Sequence, residues 1–335
     1  MLCFSGCSLF NKEEPTFSAT PSPTEAVESE NSVAEESSET AEKKTKIELS
    51  PVPTVLDTDF TALTTDVSDY LGDNFDEFKK LAKTLNEGNT SFDFSSDDAA
   101  SKILGCVSAL PVSDYVNIEN NSVNYLVSSE EIKSNLSEID NFFQNFCSEN
   151  GIDKKMTDFE KTTLVYKYVS SFSFDDSTDG MLESMQYERG SDLASARIFT
   201  WFLNQLDVEC RLISCNLTDG SLHYFSAAKI DGKFYAFDPV LENQKNGGIG
   251  LDYFMMSSSR AQTVGLGAAF HSGRDAYFAS EFSLTVDTSK DSLFCDTVLW
   301  NLDSDANILY ICKDSDNYGE YSLSFNTVTL SEIQG

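Results

Sequence analysis

The stretch that decides the fold runs from Gly190 to Pro239, GSDLASARIFTWFLNQLDVECRLISCNLTDGSLHYFSAAKIDGKFYAFDP. Its first part predicts a helix from Ser191 to Leu206, because Leu193, Ala196, Phe199, Phe202 or Leu203, and Leu206 fall on one apolar stripe. A strand is expected at Glu209–Ser214. Leu222 to Ile230 and Lys233 to Val240 then read as two strands joined by Asp231-Gly232, a strong signal for a two-residue hairpin. If those two residues are the whole loop, Ile230 faces Lys233, Phe225 faces Asp238 and His223 faces Val240. Side chains alternate along a strand, so His223 and Asp238 share a face as diagonal neighbours. A slip of one residue would put them on opposite faces, so their meeting depends on the turn.

A His and a carboxylate within hydrogen-bond reach suit a general base and the group that orients it. On periodicity alone the simpler reading is a structural hydrogen bond at a strand end.

The ordered set Gly190, Ala196, Phe199, His223, Asp238 and Pro239 resembles the transglutaminase-like superfamily of cysteine acyltransferases and peptidases. The likeness covers about residues 155 to 260 and includes Tyr253-Phe254-Met255-Met256-Ser257. Upstream, Thr157 and Glu160 form a capping-box signature for a helix ending near Ser170-Ser171, before Phe172-Ser173-Phe174-Asp175. A helix of that kind precedes the nucleophile in the family. The resemblance implies an α+β fold with a papain-like cysteine protease core, its helices packed on an antiparallel sheet. It also implies a Cys–His–Asp triad, with His223 and Asp238 in the last two places. The nucleophile place, within a Gly-x-Cys-x-x-x-Ala run in the family, holds Asp192 here. Asp207-Val208 stands where Gly-Ile is usual.

In the family the Cys thiolate is favoured by the helix N-terminus and the neighbouring His. A carboxylate attacks amides poorly and would give a high-energy anhydride, and losing a nucleophile costs about 10³-fold or more in rate. Asp192 suits other work: it meets the positive end of the helix dipole, accepts from exposed backbone N–H groups, and pairs with a His223 imidazolium. Three alternatives stay open. Another Cys could attack, Cys215 being before the loop to His223 but expected on a separate element. Asp192, His223 and Asp238 could bind a divalent metal. Asp192 could be an isolated or engineered change in an active lineage. The leading expectation is a non-catalytic binding or scaffold module for a peptide, protein or cell-wall ligand, with no cofactor and no metal. The rival expectation is a hydrolase or acyltransferase working with an atypical site.

The whole chain of 335 residues is 40% hydrophobic and 12% aromatic, enough for a real core. Its formal net charge of -32 argues against nucleic acid and against a polybasic membrane patch. Phe4-Ser5-Gly6-Cys7 resembles the lipobox of bacterial lipoproteins, with Phe4 where Leu is usual. That resemblance implies that residues 1–10 are the end of a signal peptide. It further implies that Cys7 is lipidated and that the chain is anchored to the cell membrane on its extracytoplasmic face. Residues 11–55 are rich in Glu, Ser, Thr and Pro, and read as a disordered acidic spacer. Residues 56–280 are expected to form the transglutaminase-like domain with an N-terminal helical extension, and 281–335 a small antiparallel β region.

Within the extension, helices are expected at Asp66–Leu85 with a break near Gly72-Asp73, at Ser96–Ala109, and after Ser128-Ser129. Two short strands are expected around Asn120-Asn121. Strands are also expected at Phe282–Val286, Thr297–Asn301, Ile308–Cys312 and Tyr321–Leu330, the last with Leu323, Phe325 and Val328 as its apolar positions. Cys295 and Cys312 are the pair to test first for a disulfide, against the equal expectation of buried free thiols.

Overall fold

The computed structural model describes residues 58–59 and 71–322, apart from 89–91, 108, 120–121, 154, 249, 267–269, 272–282, 298, 304–307 and 315–316. The chain divides into Met1–Val52 and Pro53–Gly335, and every described residue belongs to the second unit. The Cys7 motif, the 11–55 spacer, Val67 and Tyr70, and Leu323, Phe325 and Val328 lie outside the described residues.

The unit is a mixture of helices and small sheets. A 3-10 turn at Gly72–Asn74 leads into α1 (Phe75–Asn86), and α2 (Asp97–Val107) follows. A second 3-10 turn, Pro111–Tyr115, precedes the hairpin β1 (Val116–Glu119) and β2 (Ser122–Tyr125). Next come α3 (Ser129–Glu149) and α4 (Asp158–Ser170). Thr157 and Glu160 form the reciprocal capping box at the start of α4. Two residues of β3 (Ser173–Phe174) pair in parallel with two of β4 (Arg189–Gly190), on either side of α5 (Met181–Tyr187). Then come α6 (Asp192–Gln205), β5 (Cys210–Asn216), β6 (Leu222–Ile230), β7 (Lys233–Phe237) and α7 (Pro239–Asn246). The remaining elements are α8 (Ser258–Thr263), β8 (Phe270–His271), α9 (Asp291–Phe294), and the antiparallel sheet of β9 (Leu299–Asp303), β10 (Ile308–Asp314) and β11 (Asn317–Ser322).

The main sheet is antiparallel in the order β7-β6-β5-β8. Its hairpin has the expected register: Ile230 pairs with Lys233 and Ser226 with Phe237. Asp231 and Gly232 both take positive φ, 50° and 76°, the backbone of a type I′ turn that matches strand twist. β7 is shorter than expected, however. It stops at Phe237, because Asp238 and Pro239 are a helix start: Asp238 accepts from the Leu241 N–H, and Pro at the first helical position gives up no bond. β6 therefore runs on past its partner from Leu222 to Phe225.

α6 is also different from a one-stripe helix. Every residue from Ala194 to Leu203 is buried, Arg197 and Thr200 included. Phe199 packs with Tyr166 and Phe237 on one side, while Trp201 and Phe202 pack with Phe143 on another. A helix covered on both sides is the centre of a core rather than its lid. Each such aromatic burial contributes about 1.5–3 kcal/mol.

One further expectation changes. The segment before Val286 forms no regular strand over its described residues, although Thr285 donates to Phe234 O and accepts from the Ser258 N–H. Cys295 and Cys312 are both free thiols, as are Cys106, Cys147, Cys210 and Cys215.

Candidate functional site

The site forms where α6 begins, β6 overhangs and α7 begins. Ser191 is the N-cap of α6, its side chain accepting from the Ala194 N–H, so Asp192 is the first helical residue rather than the cap. Gly190, two residues before it, is set by close approach. A Cβ there would lie 2.7 Å from Ser184 Oγ and 3.2 Å from Ser184 Cβ on α5.

The structure brings Asp192, His223 and Asp238 together. His223 Nε2 lies 2.6 Å from Asp238 Oδ2, and His223 Nδ1 lies 2.8 Å from Asp192 Oδ2. The side chains are 6%, 1% and 20% exposed for His223, Asp238 and Asp192, so only Asp192 meets solvent appreciably. Each carboxylate also serves the backbone. Asp238 Oδ1 accepts from the Leu241 N–H at 2.9 Å. Asp192 Oδ1 accepts from the Leu193 N–H at 2.7 Å, and its Oδ2 from the Tyr224 N–H at 3.0 Å. Tyr224 belongs to the part of β6 that overhangs β7, so Asp192 joins the first turn of α6 to that overhang.

Burial alone would lower the pKa of His223. The Asp238 charge, the hydrogen bonds to Asp192 and Asp238, and the Asp192 charge outweigh it, and the pKa is pushed up to about 10. The imidazolium is the form in which both ring nitrogens donate, one to each carboxylate. A base needs a free lone pair, and here neither nitrogen presents one to a substrate. A metal at this place would have to displace a carboxylate from one ring nitrogen, since a His ligand binds through a ring nitrogen and both are engaged.

The cysteines offer no replacement nucleophile in the described structure. Cys215 lies on a separate element, β5, as expected, and there it is the register partner of His223 on β6, on the same face. It is fully buried, however, and His223 is already committed on both sides. Burial pushes the Cys106 and Cys147 thiols up to about 12, and raises Cys210 and Cys295 as well. Asp252, Cys295 and Asp296 place potential ligand atoms within 4.8 Å of one another. Asp252 there is saturated by Lys245 at 2.8 Å, Asn246 at 2.9 Å, the Asp296 N–H at 2.7 Å and Arg260 at 3.5 Å. Burial opposes its ionisation, but the bonds from Lys245, Asp296 and Asn246 prevail and lower its pKa. It is a charge cluster satisfied by protein groups.

Some site features were not expected from the sequence. Ser191 as cap was readable, being a Ser just before the apolar run. The Tyr224 N–H bond was not, because it depends on where β7 stops. Nor was the ion pair of Arg197 with Asp114, which joins α6 to the 3-10 turn more than eighty residues earlier.

No family model matches the chain, and no curated protein does. The solved structures similar to part of it include the following two. One is a candidate cysteine protease from Cytophaga hutchinsonii, 16% identical over 30% of this chain and 37% of that one, with a TM-score of 0.23. The other is a TGase, 11% identical over 44% of this chain and 49% of that one, with a TM-score of 0.28. The chain thus spans between a third and a half of the structures it matches. Among the described residues, no helix is long and apolar enough to cross a membrane.

Proposed function

We propose that this chain is a binding module built on a transglutaminase-like, papain-like core that no longer performs acyl transfer. The observation that carries this reading is the double commitment of His223. Both its nitrogens are held by carboxylates, and one of those carboxylates belongs to Asp192, the residue at the family's nucleophile place. A thiolate there would be an attacking group with an imidazolium beside it; a carboxylate instead makes a closed ion cluster. What remains is a charged cluster that meets solvent through Asp192, and we read the surface around it as one that holds a peptide or cell-wall ligand. We further propose export and anchoring through a lipidated Cys7, on the lipobox-like Phe4-Ser5-Gly6-Cys7 and the spacer-like composition that follows.

The test is turnover of amide and ester substrates by the purified protein beside Asp192→Cys and His223→Ala. We expect no turnover by the natural chain and new reactivity of Asp192→Cys towards thiol-directed electrophiles. Turnover by the natural chain that His223→Ala abolishes would establish the rival reading, an enzyme with an atypical site. For the anchor, metabolic labelling with a fatty acid is expected in the natural chain and lost in Cys7→Ser.

A further inference from the structure

Asp192 is held as a bound ligand would be. Its Oδ1 accepts from the Leu193 N–H at 2.7 Å, and its Oδ2 accepts from the Tyr224 N–H at 3.0 Å and from His223 Nδ1 at 2.8 Å. These three donors come from two elements, the first turn of α6 and the part of β6 beyond the end of β7. Donors shared in this way between both oxygens, one of them cationic, recognise a planar carboxylate.

Each donor is fixed by something other than Asp192. The Leu193 N–H is among the opening N–H groups of a helix, which have no partner inside it, and the dipole there favours an anion. α6 itself is secured by its Ser191 cap and by the pairing of Arg197 with Asp114. Tyr224 and His223 are held in register by β5, where Ser214 faces Tyr224 and Cys215 faces His223. Asp238 holds the other nitrogen of the His223 ring at 2.6 Å, which orients the imidazole from behind. Without the Asp192 side chain these donors would surround a space of about a carboxylate's size. That space reaches solvent, since the Asp192 side chain is 20% exposed.

We propose that the Leu193 N–H, the Tyr224 N–H and His223 Nδ1 form a carboxylate-binding pocket that the chain fills with its own Asp192. Asp192 is then the residue that decides what the site admits. While it is present, acids are turned away, because the donors are taken and the Asp192 and Asp238 charges repel a further anion. When it is shortened, a small free carboxylate enters. The pocket goes beyond the reading of the chain as a binding module, and it holds whether or not the chain turns over a substrate.

The experiment uses the full chain carrying Asp192→Gly, titrated with sodium formate at constant ionic strength and about pH 6, below the ordinary imidazole value. Nuclear magnetic resonance follows the Leu193 and Tyr224 amides and the His223 ring. All three are expected to shift together and saturate, with half-saturation on the order of 1–10 mM for so small a ligand. The natural chain is expected to show no saturable shift at concentrations about tenfold higher. Acetate is expected to bind the variant, and acetamide, its neutral counterpart, is not. Adding His223→Gln to Asp192→Gly is expected to weaken formate binding at least about tenfold, the loss of one charge-assisted hydrogen bond. The thermal midpoint by circular dichroism is the second readout. A ligand of the folded state raises it, so formate should stabilise Asp192→Gly even if that variant is only partly folded. Asp192→Ala, with a better helix former at the same place, is expected to respond in the same direction.

Absence of saturable shifts and of thermal stabilisation in both variants would overturn the proposal. So would equal binding of formate by the natural chain, or an equal response to acetamide. Undiminished binding in the variant that also lacks His223 would overturn it too, reducing the pocket to a helix end. Turnover of amides by the natural chain would refute the non-catalytic reading and leave the pocket standing; failure of the formate titration refutes the pocket alone.

Discussion

α6 is held to its surroundings by two charge clusters that differ in one property. Arg197, inside the helix, pairs through Nη1 with Asp114, and its Nη2 donates to Leu110 O at 2.9 Å and to Ser113 Oγ. At the helix start, Asp192 pairs with His223, which pairs with Asp238 at the start of α7. Both clusters bury a cation almost completely, with Arg197 4% and His223 6% exposed. The guanidinium is charged at every accessible pH, whereas the imidazolium depends on two carboxylates to stay so. One clamp is permanent and the other is conditional, although both join distant parts of the chain through the same helix.

The largest test of the conditional clamp is Asp238→Ala. It removes the main charge supporting His223 and, at once, the cap of α7. Breaking a buried ion pair costs about 3–5 kcal/mol and losing an N-cap about 1 kcal/mol, so a total loss of about 4–6 kcal/mol is expected. Urea unfolding followed by circular dichroism measures it. A loss below about 2 kcal/mol would mean that the cluster is relaxed by water and is no clamp.

Arg197→Met comes next, with an expected loss of about 3–5 kcal/mol, because Asp114 and Leu110 O lose their buried donor. Arg197→Met with Asp114→Leu is expected to recover a good part of it, since the uncompensated charge is then gone. Failure of the double variant to recover would show that the guanidinium contributes through packing rather than charge.

The two clamps should separate most clearly with pH. His223 titrates near 6.5 when unfolded and near 10 when folded. A group whose pKa rises on folding stabilises the folded state fully below its unfolded value. That stabilisation, on the order of a few kcal/mol, is lost as pH climbs from about 6.5 towards 10. The stability difference between the natural chain and His223→Gln should therefore shrink across that window. The difference between the natural chain and Arg197→Met should stay level. Parallel curves for both variants would break the distinction.

The sequence exposes one clamp and hides the other, for a physical reason. His223 and Asp238 are joined by a tight hairpin, so a two-residue turn and the alternation of strand side chains suffice to bring them together. Asp192 follows from its place at a helix start. Arg197 and Asp114 are linked by no local geometry; their meeting depends on how the 3-10 turn at Pro111–Tyr115 packs on the core. The same limit explains the central position of α6. Leu193 to Leu206 reads as one stripe, but only the packing of α3 against Trp201 and Phe202 shows that a second side is covered. Conversely, Asp238-Pro239 carries its own helix-start signal, which ends the strand before Val240.

The smallest expected effect belongs to Asp192→Asn, and it tests what the Asp192 charge contributes to the cluster. The amide keeps the size of the carboxylate, and its one oxygen still accepts from either the Leu193 or the Tyr224 N–H, but not with the same strength from both. Asp192 is the most exposed member of the cluster, so solvent can serve the group left over. The loss is expected to be about 1 kcal/mol, far below that of Asp238→Ala. The informative readout is the His223 titration by nuclear magnetic resonance. With one of its two supporting charges removed and Asp238 retained, the pKa should fall below that of the natural chain but stay above an unfolded His. A pKa that does not move would mean that Asp238 alone keeps the imidazolium charged. Asp192 would then serve only the backbone groups of α6 and β6, and the clamp would reduce to a pair.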